Sequence, residues 1–153
     1  MVRRPAWIHN LAGANPQRGL VAFPARRVPM EQFRRQLSGV PLTGGQGQAV
    51  VSAGGTARVS VGPQGLGTVW YPSQCVVSTS TGANDVSTCA VYLGSQALQN
   101  LQGGQSYAGG GDTIGLSVTS MTPGDLLIAI WESAVPGATA AINVQGTMDA
   151  LAY

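Results

Sequence analysis

The sequence predicts an all-β fold, an antiparallel β-sandwich of jelly-roll type preceded by an extended N-terminal arm. Apolar segments with period-two alternation recur along residues 48–151, roughly 10–15 residues apart, as in sandwiches built from short strands. Glycine- and proline-containing turn sequences separate them. Residues 1–41 lack this alternation and contain five prolines, so the sequence predicts an arm (1–41) and a β-sandwich domain (42–153).

The arm is predicted to be extended, because each proline resists helix continuation. One short helix is expected from Met30 to Leu37, since the segment follows Pro29 and since Met30, Phe33 and Leu37 make an apolar stripe. The other apolar side chains of the arm have no periodicity, so the arm cannot build a core of its own. It must fold back on the body or dock on a neighbouring subunit.

The sequence LTGGQG (42–47) is predicted to be a hinge, and the strands follow it. The predicted strands are residues 48–53, 56–61, 67–81, 86–93, 112–118, 125–132 and 139–151. Residues 93–102 are compatible with a short helical turn or an edge strand, and a strand or loop is favoured.

The chain is unusually poor in charge. Only 9% of its residues are charged, against a typical value of about 25%. Residues 1–41 hold seven arginines and one glutamate, a net charge of +6, whereas residues 42–153 hold one arginine and five acidic residues, a net charge of −4. A basic arm joined to a weakly charged, acidic body is typical of a protein that packs against other proteins.

The glycines of YAGGGDTIGLSV (107–118) have part of the spacing of a nucleotide-binding loop. Gly110 and Gly115 match the two glycines of a phosphate loop, but Leu116 and Ser117 follow where Lys and Ser or Thr are required. The dinucleotide pattern also fails, because Ile114 stands where its third glycine would be. The segment is therefore predicted to be a turn that opens a strand, and no cofactor is expected.

No catalytic or metal-binding residues are predicted. His9 is the only histidine, and it has no acid or nucleophile nearby in the sequence. Asp85, Asp112 and Asp125 each stand at a turn or strand entry, where Asp bonds to local backbone. Two cysteines without further ligands do not complete a tetrahedral metal site. The chain is therefore not expected to be an enzyme.

The two cysteines, Cys75 and Cys89, lie in consecutive predicted strands. If these strands form a hairpin centred near Gly82, the two residues face each other and a disulfide is geometrically allowed. Two buried thiols are the alternative, because a protein assembled in a reducing cytoplasm stays reduced. The sequence leaves both open.

The arginines and aromatic residues of the arm are the predicted assembly contacts. Arginine pairs well with carboxylates and backbone groups, so proteins rather than nucleic acid are the predicted partners. No apolar run reaches the length of a membrane span, and no membrane partner is expected. The predicted contacts are Arg3, Arg4, Trp7, Phe23, Arg26, Arg27, Phe33, Arg34 and Arg35.

Aromatic residues of the body suggest carbohydrate binding as an alternative function. Trp70, Tyr71 and Trp131 are candidate stacking platforms, although Trp70 and Trp131 lie in apolar strands, so at least one of them is expected in the core. Trp70 and the loop 103–111 are the predicted glycan contacts.

Segments spanning roughly residues 60–151 resemble a known class of virion proteins. The segments are GPQGLGTVWYPSQCVVSTSTG, CAVYLGS, SYAGGGDTIGLSV and MTPGDLLIAIWESAVPGATAAINVQGTMDAL. They resemble small β-sandwich proteins of tailed bacteriophages that infect actinobacteria, usually called minor tail proteins. The resemblance implies a non-enzymatic structural protein located in the virion and assembled in the host cytoplasm.

The resemblance also implies a homo-oligomer whose partners are copies of itself and other virion proteins. A minor tail or tail-tip protein is the favoured interpretation. A capsid decoration protein and a host-glycan-binding module are the alternatives.

Overall fold

A computed structural model describes residues 35–81, 86–103, 106–107 and 111–152. Its regular structure consists of antiparallel β-strands and one short 3-10 helix, Leu98–Asn100. The strands are β1 (Arg35–Pro41), β2 (Gln46–Val50), β3 (Ala57–Val61), β4 (Val69–Thr79), β5 (Thr88–Leu93), β6 (Ser106–Tyr107), β7 (Asp112–Gly115), β8 (Leu127–Glu132) and β9 (Thr139–Ala152).

Eight of these strands pair as nested antiparallel hairpins. The outermost pair is β2 with β9, and inside it lie β3 with β8, β4 with β7, and β5 with β6. Two further antiparallel pairings, β4 with β9 and β5 with β8, join these pairs side by side. The pairs β2–β9 and β4–β7 therefore lie in one sheet, and the pairs β3–β8 and β5–β6 lie in the other.

The pairings produce two sheets. The five-stranded sheet has the order β1-β9-β4-β7, with β2 also on β9. The four-stranded sheet has the order β3-β8-β5-β6. The longest ladder joins β4 to β9, from Val69 opposite Asp149 to Thr79 opposite Ala140, so these two strands form the centre of the five-stranded sheet.

The core takes the inward-facing residues of both sheets. In β3 the burial alternates strictly, with Ala57, Val59 and Val61 buried. The five-stranded sheet contributes Trp70, Cys75 and Val77 from β4 and Ala140, Ile142 and Val144 from β9, and the four-stranded sheet contributes Cys89, Val91, Leu127, Ala129 and Trp131. One apolar cluster therefore joins the two sheets, and the alternate residues of each strand face outward.

The strands predicted in the body are confirmed, most of them with shorter ends, but β2 begins at Gln46, so the predicted hinge 42–47 is wrong for its last two residues. Residues 93–102 contain the 3-10 helix Leu98–Asn100, whereas a strand or loop was expected. β6 was not predicted, because two residues are too few to show a period. No helix in the described ranges is long and apolar enough to cross a bilayer.

Of the predicted arm (1–41), the structure describes only the last part, residues 35–41. Residues 1–34 lie outside the described residues, and residues 35–41 form β1 on the edge of the five-stranded sheet. The predicted helix from Met30 to Leu37 is therefore wrong for its last three residues. Pairing with β9 outweighs a weak three-residue apolar stripe, because a short isolated helix has little stability of its own.

Candidate binding surface

The outer face of the five-stranded sheet carries uncharged polar side chains in regular rows. On β9, Ala140, Ile142 and Val144 point into the core, so Ala141 and Asn143 point away from it. The strand register aligns these outward residues with those of β2 and β4. The two resulting rows are Gln48–Ala141–Ser78 and Gln46–Asn143–Val76.

These rows line a groove of about 700 Å³, a volume within the usual range for small-molecule sites. The small side chain of Ala141 lies on the central strand, and the longer side chains of Gln46 and Gln48 rise beside it on β2. The residues that line the groove are Gln46, Gly47, Gln48, Val76, Ser78, Ala141, Ile142, Asn143 and Gln145. None of these lining residues is ionisable.

The amide groups of the groove differ in their hydrogen bonding. At one end, the Gln74 Nε2 donates to the Gln145 Oε1 at 2.6 Å, which orients both side chains. The side-chain amides of Gln46, Gln48 and Asn143 make no hydrogen bond to any described residue. Each amide carries donors and an acceptor, so the groove presents unpaired groups of both kinds.

A small polar cluster lies on the same face towards β1. The Asp149 carboxylate accepts hydrogen bonds from the Gly39 N–H at 2.8 Å and from the Tyr71 hydroxyl at 3.2 Å. These bonds link β1 to β9 and β9 to β4. The hydrogen bond to Asp149 and the negative charge of that carboxylate raise the pKa of Tyr71, so the exposed Tyr71 side chain remains neutral.

The predicted glycan contact at Trp70 is wrong. Trp70 is 1% exposed and Trp131 is fully buried, so neither ring can stack on a ligand in solution. Both lie on inward positions of their strands, where large apolar side chains gain most from burial. Tyr71, the next residue after Trp70, points outward and is 39% exposed. Much of the predicted loop 103–111 lies outside the described residues.

Of the two states left open for the cysteines, the structure has the two buried thiols, and the strands that carry them do not form a hairpin. Cys75 lies on β4 opposite Val144 and Ile114, and Cys89 lies on β5 opposite Trp131, in the other sheet. Both are free thiols buried in the core. Burial raises the pKa of Cys75 to about 11, and burial together with the interaction with Cys75 raises the pKa of Cys89 to about 12, so both are protonated at neutral pH.

Of the predicted assembly contacts, only Arg35 lies among the described residues. Arg35 begins β1, and Arg3, Arg4, Trp7, Phe23, Arg26, Arg27, Phe33 and Arg34 lie outside the described residues. Within the part of the chain that the structure describes, no three His, Cys, Asp or Glu side chains are grouped so that they could hold a metal ion.

Comparisons of the chain with protein families, with curated proteins and with solved structures found no match.

Sequence reasoning missed the amide-lined groove, although part of its signal is visible in the sequence. Gln46 and Gln48, and likewise Asn143 and Gln145, are two residues apart within apolar strands, as expected for neighbours on an outward face. The alternation does not show that β2, β9 and β4 are adjacent, and this adjacency builds the groove.

Proposed function

We propose that this protein is a non-enzymatic structural protein of a tailed-phage virion, a minor tail protein that assembles through residues 1–34. In this proposal the two sheets form a jelly-roll sandwich and the N-terminal residues dock on neighbouring subunits. The partners are copies of the chain and other virion proteins.

The observation that carries the proposal is the nested order of the strands. The eight strands β2 to β9 pair as one long hairpin, and successive pairs belong alternately to the two sheets. The resulting strand orders are β2-β9-β4-β7 and β3-β8-β5-β6. Jelly rolls, which recur in viral coat proteins and in lectins, have strand orders of this kind, and this likeness supports the proposed fold. Because one fold serves many functions, the resemblance of residues 60–151 to phage tail proteins supports the virion function among them.

The distribution of charge supports assembly through the N-terminal residues. Six of the eight arginines lie in residues 1–34. The described body has exposed acidic side chains at Asp125 and Glu132 and few cations. Arginine forks pair well with carboxylates and backbone carbonyls at protein interfaces, so the basic segment of one copy is suited to the acidic body of another.

A truncation tests this proposal. Deletion of residues 1–34 leaves β1 and the core cluster of the described residues in place, so the body is expected to fold with the far-ultraviolet circular dichroism of residues 35–153. The truncated chain is expected to be missing from particles assembled in its presence.

A matched variant separates charge from length. Replacement of the six arginines in residues 1–34 by glutamine keeps the length of the segment and removes its positive charge. This variant is expected to enter particles at a strongly reduced level. Normal incorporation of the truncated chain would contradict the proposal.

A further inference from the structure

We propose that the groove on the outer face of the five-stranded sheet binds a neutral, linear carbohydrate. The inference does not rest on the virion function, because binding is measured on the isolated chain. It assigns a ligand to the face formed by β2, β9 and β4, away from the buried Trp70.

The first step is the charge of the groove. The side chains that face it are amides, a hydroxyl, the methyl group of Ala141 and the branched side chain of Val76, and no lining residue is ionisable. Ile142 also lines the groove, but its side chain lies in the core. A phosphorylated or carboxylated ligand would lose part of its hydration there and gain no opposite charge. Charge complementarity therefore favours an uncharged ligand.

The second step is hydrogen bonding. The amides of Gln46, Gln48 and Asn143 have no partners among the described residues, and they lie side by side on paired strands. A sugar hydroxyl is both a donor and an acceptor, as is a carboxamide. A row of hydroxyls along an oligosaccharide can therefore satisfy both halves of these amides, which a purely apolar ligand would leave unpaired.

The third step is the aromatic ring that continues the same face. Tyr71 points outward on β4 and is 39% exposed, and its hydroxyl is held by Asp149. Three residues further along β4, roughly 10 Å at the usual rise of a strand, lies Gln74, which bonds to Gln145 of the groove. A linear chain can thus extend from the amides to this ring, whose face suits the apolar C–H side of a sugar.

The test is a titration of the full, nitrogen-15-labelled chain followed by NMR. The probes are neutral hexasaccharides of glucose, mannose, galactose and arabinose. The side-chain amide signals of Gln46, Gln48 and Asn143 report directly on the groove. At least one hexasaccharide is expected to shift these signals in a saturable manner, whereas the amide signal of Gln64, in the loop after β3, is expected to stay in place.

Matched variants assign the contacts. Gln48→Ala and Asn143→Ala are each expected to weaken binding roughly threefold to tenfold, as for the loss of one or two hydrogen bonds. Gln64→Ala removes an exposed amide elsewhere and is expected to leave binding unchanged. Tyr71→Phe, which keeps the ring, is expected to retain more of the affinity than Tyr71→Leu, which removes it.

Three results would overturn the proposal. The first is the absence of any shift with all four hexasaccharides at millimolar concentration. The second is a saturable shift located away from β2, β4 and β9. The third is a shift of the groove signals that follows the concentration of the protein alone, because a second copy of the chain would then occupy the face.

Discussion

Gly47 on β2 faces the four-stranded sheet at a point where no side chain fits. A Cβ atom at this position would lie 2.5 Å from the Val59 Cγ1 and 2.8 Å from the Val61 Cγ1. Both neighbours are β-branched and have little rotamer freedom, so they cannot move aside cheaply. The absence of a side chain at Gly47 allows β2 and β3 to approach each other where the two sheets meet.

Gly47→Ala is therefore expected to lower the free energy of unfolding by about 1–3 kcal/mol, as for overpacking elsewhere. Gly115→Ala is the matched control, because a Cβ there meets no atom within 4 Å, and it should change stability by less than about 0.5 kcal/mol. Urea denaturation of both variants measures the difference. Equal stability of the two variants would show that the sheets are not so close at Gly47.

Asp125 closes the loop before β8 through two bonds from Thr122. Its Oδ2 accepts from the Thr122 N–H at 2.7 Å and from the Thr122 hydroxyl at 2.9 Å, and the backbone bond is the larger cause of its lowered pKa. Because the folded state favours the ionised carboxylate, this contribution to stability is present above the unfolded pKa and is lost as the pH falls through the folded one.

An NMR titration of the side-chain carboxyl group is expected to give Asp125 a pKa below its ordinary 3.8. Thr122→Val removes the hydroxyl and keeps the N–H, so the pKa is expected to rise only part of the way back. A pKa at or above the ordinary value in the parent chain would contradict this loop geometry.

The two cysteines provide a probe of the core. The pKa of both thiols is raised above the usual 9.0 by burial, so the folded state resists their ionisation. This part of the stability is present below about pH 9 and is lost as the pH rises towards the folded pKa values.

Iodoacetamide at mildly alkaline pH is expected to label neither thiol in the native chain and both in denaturing guanidinium. Failure to label in guanidinium unless a reductant is added would reveal a disulfide.

At the scale of the element, short-range alternation in the sequence was enough to locate the strands but not to pair them. β4 and β5 are neighbours in the chain, and a hairpin was the simplest expectation, yet they belong to different sheets. Their real partners, β9 and β8, lie more than 30 residues away, as expected when loops are short and pairings are non-local. The fold class was therefore predictable, whereas the register that builds the groove was not.

Pro72 illustrates a second limit of local reasoning. Proline within a strand usually indicates an edge, because it cannot donate to a neighbouring strand. In this protein it lies on β4 opposite Gly146 of β9, next to a register shift between Pro72 and Gln74. The pairing of β4 with β7 begins only at Gln74, so Pro72 lies beyond the end of that ladder, where no donor to β7 is needed.

β1 is expected to stabilise the body even though it belongs to the predicted arm. Its Gly39 N–H bonds to Asp149, and the strand covers one end of β9. Deletion of residues 1–34 is expected to leave the free energy of unfolding unchanged. Deletion of residues 1–41 is expected to lower it by about 1–3 kcal/mol through lost strand hydrogen bonds. Denaturant titration compares the two truncated chains, and equal stability would show that β1 does not contribute to the body.

At the scale of the whole molecule, the chain combines an uncharged sheet face with an arginine-rich N-terminal segment. The body buries one apolar cluster between its sheets and exposes an uncharged amide-lined face, whereas six of the eight arginines precede β1. The division of charge was readable from composition, because it needs no contacts. The groove was not, because it depends on three strands that are distant in sequence. The proposed function assigns assembly to the N-terminal residues and leaves the sheet face available for a ligand.

The measurement that tests the central claim most directly is the number of copies of this chain in purified phage particles, counted by quantitative mass spectrometry against the major capsid protein. A minor tail protein is expected at a few to a few tens of copies per particle. Hundreds of copies would contradict the tail position and identify a capsid decoration protein. Complete absence from particles would contradict the virion function itself.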